Sequence, residues 1–188
     1  MSDDCPWEPP FAGTEVEHLL ASLDRLRATF WWKASGLDAA GLAFRFPSSE
    51  LSLGRLLKHL ARAEDQMFTM KLFGTLTNEP WRSAPWADDP EWDFTSADHD
   101  PPEVLYRLWT ETAARSRAAV QQVLAGDGLD HRVAWGGDNF DVSLRRLLFD
   151  LVEEYGRHTG HADLLREAVD GVAGEDPPEG MVWPPALD

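Results

Sequence analysis

A glutamate and two histidines, all of them able to hold or move a proton or ligate a metal, crowd into EEYGRHTGH, residues 153 to 161. Glu154 precedes His158 by four positions and His161 follows it by three, so on a helix the three side chains fall within about 60° of one another. Leu144, Leu148, Leu151, Tyr155, His158, Ala162, Leu165 and Val169 recur at spacings of four and three, the seam of a packed helix, which puts His158 at a core position. Burying a carboxylate and imidazoles is costly unless each is paired or bound to metal. Two accounts meet that cost. In one, Glu154 and His158 form a pair along the helix or bond to arginines such as Arg55 or Arg62, with His161 at the solvent edge. In the other, they ligate a divalent ion, which requires a third ligand from elsewhere.

His59 is the candidate for that third ligand. It shares a stripe with Ser52, Leu56, Ala63, Gln66 and Met70, beside or within an apolar face. A lone histidine there is ordinarily a satisfied core residue. Facing a Glu-x-x-x-His, it completes two imidazoles and one carboxylate, a set that suits a divalent ion and leaves coordination positions open. Metal binding is therefore the stronger reading. Gly156 and Gly160 interrupt the same helix at a cost of about 1 kcal/mol each relative to alanine, and predict a close helix approach on that face.

Four amphipathic segments must position these residues. The first, from Thr14, opens with a capping box (Thr14 with Glu17) and stops near Gly36. The second is capped by Ser52 and ends before Gly74; the third starts at Pro101-Pro102 and runs to Gly126; the fourth spans about Ser143 to Asp170. The pattern predicts an all-α protein, a four-helix bundle with a long aromatic-rich loop between helices 2 and 3. The first connection reads as short, the second as about 26 residues and the third as roughly 16, with RVAWGGDNFDV (132–142) a candidate hairpin around Gly136-Gly137. Trp81, Trp86 and Trp92 in the long connection, with Trp31 and Trp32, are candidates to line an aromatic pocket. The domain reading is one helical unit over 1–188, with a core of 14–171 and Pro-rich extended tails.

Composition narrows the function. With 43% apolar and 27% charged residues the chain is too apolar to be disordered. A net charge of −16 argues against nucleic acid and anionic lipid as partners. No leader and no membrane span are legible, and Cys5 is the one cysteine, so no internal disulfide forms; all of this fits a cytoplasmic protein.

HLARAE, from His59 to Glu64, together with EEYGRHTGHADLLREAVDG, from Glu153, resembles the DinB/YfiT-like superfamily over roughly residues 14–171. It is most similar to the branch of the mycothiol-dependent maleylpyruvate isomerase, specifically that enzyme's N-terminal metal-binding domain. The resemblance implies His59, Glu154 and His158 as ligands of zinc or nickel, with iron admissible. His161 stands where other members often have glutamine, and is the candidate for a proton-relaying residue. The isomerase's further domain and its substrate-binding residues have no match here, so that reaction is not implied. What the resemblance does imply is metal-dependent chemistry of a low-molecular-weight thiol such as mycothiol with an electrophile, of S-transferase or isomerase type. Two other readings stay open: a non-catalytic, stress-related bundle that binds metal or dimerises, and a metal-dependent hydrolase using activated water. Homodimerisation is likewise an open expectation.

Overall fold

The Thr14–Glu17 capping box forms as read: the Glu17 carboxylate accepts from the Thr14 backbone N–H at 2.7 Å, and Thr14 Oγ1 accepts from that of Glu17 at 3.3 Å. It opens α1, Glu15–Ala34. The structure, a computed structural model, describes residues 7–134 and 141–185. Ser52 caps α3 (Leu53–Asp65) and Ser143 caps α6 (Leu144–Asp170), each through a hydroxyl that accepts a backbone N–H of the first turn. The remaining long helix, α5 (Pro102–Leu124), has proline in its first turn, where the missing N–H costs nothing. Gly171, at φ 78°, ends α6 in the left-handed conformation that glycine adopts without strain.

Two expectations are corrected. The connection after α1 is not short, and it carries a helix of its own, α2 (Ala39–Ala43), capped by Asp38. Past Asp65 the second helix widens into a π-helical stretch, Gln66–Lys71, a form that is rare and concentrated at functional sites. Between that stretch and α5 lie α4 (Trp92–Thr95) and a 3-10 turn, Ser96–His99. The aromatic residues pack this segment on itself: Trp86 Nε1 donates to the Trp81 carbonyl at 2.9 Å, and Trp92 meets both Trp81 and Trp86 edge-on. The paired strands β1 (Arg132–Ala134) and β2 (Asp141–Ser143) run antiparallel, with Val133 opposite Val142. The Gly136-Gly137 turn between them, like Cys5, lies outside the described residues.

The molecule is mostly helical, with α1 packed along α6 and α3 along α5. Leu53, Leu56, Leu57 and Leu60 of α3 and Leu144, Leu148 and Leu151 of α6 belong to one core cluster, at essentially zero exposure. Within this apolar centre runs a polar chain. Arg27 of α1 grips Glu64 of α3 through two hydrogen bonds of 2.7 Å; Tyr155 of α6 donates to Glu64 at 3.0 Å, and Trp109 of α5 donates to the Tyr155 hydroxyl at 3.0 Å. One link from each long helix fixes their mutual rotation.

Described residues of both proline-rich stretches touch the helical body. Trp7 is buried, and Trp183 rests against Trp109 and beneath the Arg117 guanidinium. The buried Lys33 ammonium donates to the Gly174 carbonyl at 2.7 Å. Among the described residues, no helix is long and apolar enough to cross a membrane.

Candidate metal centre

His59 projects from the middle of α3, six residues after its start, and Glu154 and His158 from the middle of α6, where regular helix geometry stacks positions four apart. The packing of α3 on α6 brings the three together. One donor atom from each lies within 4.8 Å of the other two, and no other such trio of histidine, cysteine or carboxylate groups occurs among the described residues. His59 Nε2 is 2.8 Å from Glu154 Oε1, His158 Nε2 is 3.4 Å from the same oxygen, and the two imidazoles meet edge to face at 4.9 Å. The paired-arginine account of Glu154 fails: Arg55 turns to Asp98 and Glu50, and Arg62 to Asp93.

Asp93 was not legible in the sequence. It sits on α4, fully buried, and its Oδ2 lies 2.8 Å from His59 Nδ1 and 3.2 Å from Arg62. Since a carboxylate only accepts, His59 donates through Nδ1 to Asp93 and through Nε2 to Glu154; with Nδ1 held by Asp93, Nε2 is the nitrogen at which an ion would replace the proton. This is the arrangement by which a carboxylate sets the tautomer of a ligating histidine. The only signal for it was an acid inside a run of aromatics that had to pack somewhere.

Charges at the centre sustain one another. Hydrogen bonds from His158 and His59 outweigh burial and hold the Glu154 carboxyl far below its ordinary range. Burial disfavours charge on His59, but the bonds to Asp93 and Glu154 prevail and raise its pKa. Burial works against the Asp93 anion too, and contacts with His59 and Arg62 more than offset it. His161 stands behind His158: the two Nδ1 atoms are 3.3 Å apart, so one ring donates to the other. Burial, with the neighbouring His158 and Arg157, lowers its pKa.

The donors fit a divalent ion. Two imidazole nitrogens and a carboxylate oxygen match the set that zinc takes with a position left open, Asp93 orients one ring, and a cavity of about 260 Å³ reaches the site between His59, Gln66, Met67 and Glu154. Compared with known families, residues 18–171 match the one described as Mycothiol-S-transferase.

The chain belongs to the Mycothiol-S-transferase family.

No curated protein matches the chain. In this family member, Gly156 and Gly160 are exposed, and a methyl group at either would meet nothing within 4 Å, so they mark no close helix approach. Their solvent-facing positions tolerate the flexibility. The tryptophans divide. Trp31 stacks on Trp109, Trp32 covers Lys33 and Trp92 covers Lys58, whereas Trp81 and Trp86 line a further cavity next to the ligands.

Proposed function

We propose that this protein is a divalent-metal-dependent thiol S-transferase, with mycothiol or a thiol like it as co-substrate, and that its four long helices form the bundle in which His59, Glu154 and His158 hold the ion. The observation that carries the reading is the convergence of those three donor atoms beside an open cavity, in a chain of the Mycothiol-S-transferase family. A bound zinc or nickel ion would lower the pKa of a thiol that reaches it, giving a thiolate near neutral pH without a strong base.

The chain's own groups do the rest. Asp93 holds the Nδ1 proton of His59, and His161 pairs with His158 through their Nδ1 atoms, so that in each ring Nε2 is the nitrogen turned to Glu154 and to an ion bound beside it. Asp150 and Glu153, on the wall of the cavity, are proton acceptors for the thiol hydrogen. The thiolate sulfur then forms its bond to carbon as the leaving group departs with the electron pair. A cytoplasmic setting, where small thiols stay reduced, belongs to the same reading.

Elemental analysis of protein purified without a histidine tag, followed by conjugation of mycothiol to monochlorobimane, tests it. The expected result is about one divalent ion per chain and metal-dependent conjugation, with both lost in a Glu154→Ala, His158→Ala double variant. A chain that takes up no zinc, nickel or iron would sink the reading. Ester turnover without thiol would point instead to a hydrolase, and bound metal without any turnover to a non-catalytic binding protein.

A further inference from the structure

We propose that the cavity next to the metal centre is a subsite for an electrophile carrying a carboxylate on a flat, apolar body. The assignment deepens the transferase reading and rests on it. The cavity, of about 280 Å³, is walled by Arg62, Gln66, Met70, Trp81, Arg82 and Trp86. That size lies near the lower end of small-molecule sites, roughly 300–1,000 Å³. Arg62 and Gln66 also line the cavity that reaches the ligands. A molecule seated in the second space is thus separated from the first only by side chains common to both.

Three observations specify the occupant. The first is charge. The chain has 33 acidic residues against 17 lysines and arginines, and nearly every arginine is paired with a carboxylate. Among the described residues, Arg82 and Arg107 have no acidic partner. Arg107 sits on the exposed face of α5, while Arg82 lines the cavity. Its Nε donates to the Thr77 carbonyl of its own loop at 3.0 Å, which anchors the side chain and leaves both terminal nitrogens unused. A planar guanidinium so held suits the two oxygens of a carboxylate. The second observation is an orphaned donor. Trp81 is 1% exposed and its indole N–H has no acceptor, although buried donors are nearly always matched. The third is the wall itself: Trp86, with Arg62 stacked 4.3 Å from its ring centroid, offers together with Met70 a flat, polarisable surface for an unsaturated or aromatic body.

Isothermal titration with 2-naphthoate and its neutral counterpart 2-naphthylmethanol tests the subsite. Both are titrated into the metal-loaded chain and into the same chain stripped by chelator, because a carboxylate can also ligate an ion. The naphthoate should bind more tightly than the alcohol in both forms. Arg82→Met should weaken naphthoate about tenfold and leave the alcohol unchanged, with Arg82→Lys in between. Arg82 is exposed, so these variants should melt like the parent. Equal affinity for the two probes, indifference of naphthoate to Arg82→Met, or binding that vanishes with the metal would each overturn the assignment. The two proposals fail separately. Arg82-dependent binding in a chain that conjugates no thiol leaves the subsite and removes the transferase, whereas conjugation without Arg82-dependent binding does the reverse.

Discussion

At the scale of single residues, the centre depends on groups that orient its ligands as well as on the ligands themselves. Asp93 keeps the size and most of the contacts of its site when changed to asparagine, but loses the charge that fixes the His59 tautomer. Zinc affinity of Asp93→Asn, read by competition with a chromophoric chelator, should fall about 10–100-fold. His59→Ala and His158→Ala should each lose nearly all binding. An Asp93→Asn variant with parental affinity would reduce Asp93 to a packing residue. The three residues of the candidate site were legible because two sit at helical spacing on an apolar seam and the third on a matching stripe. Asp93 was not, because α4 is too short to have periodicity and its contact with His59 spans 34 positions. The same limit misled the glycine reading: spacing locates a residue on a helix but not which face a neighbour covers.

At the scale of elements, α3 is the hub, and the aromatic segment is fastened to it by charge. Arg55 and Arg45 both reach Asp98 in the 3-10 turn beyond α4, and Asn78 donates to Asp65 at the end of α3. Hydrogen bonding from Arg55, and next from Arg45, overrides the effect of burial and lowers the Asp98 pKa to about 2. Folded, the group titrates below its unfolded value of about 3.9. Its contribution is therefore complete above that value and disappears as pH falls through about 2. Thermal melts between about pH 6 and pH 2 should show Asp98→Asn less stable than the parent at the upper end, with the gap closing in acid. A gap of constant size would assign it to packing instead. Helix ends were legible wherever a capping side chain or a glycine marked them. The π-helical stretch and the 3-10 turn were not, since neither has a residue signature distinct from the helix it adjoins.

At the scale of the whole molecule, the Arg27–Glu64–Tyr155–Trp109 chain decides how four helices are turned against one another. Glu64 lies five positions after His59, and Tyr155 directly follows Glu154, so the rotation that satisfies the polar chain also aims His59 and Glu154 at each other. Glu64→Ala leaves the buried Arg27 guanidinium with Asp24, at 3.0 Å, as its carboxylate partner and should cost about 3 kcal/mol in urea denaturation, while Arg27→Met with Glu64→Leu should restore most of that. A loss below about 1 kcal/mol in the single variant would show that Asp24 and solvent suffice for Arg27. Zinc affinity of the double variant then separates fold from function: restored stability with weakened binding would show that the polar chain serves alignment more than cohesion. The four helices could be read from periodicity, but this network could not, because a buried arginine and glutamate on different helices look like surface charges until their partners are placed. The family match stops at residue 171, yet Trp183 covers Trp109 and Gly174 satisfies Lys33. The seal over the hydrophobic centre is thus completed by described residues outside the candidate metal site, so substitutions there should retune thermal endurance while leaving zinc affinity as it is.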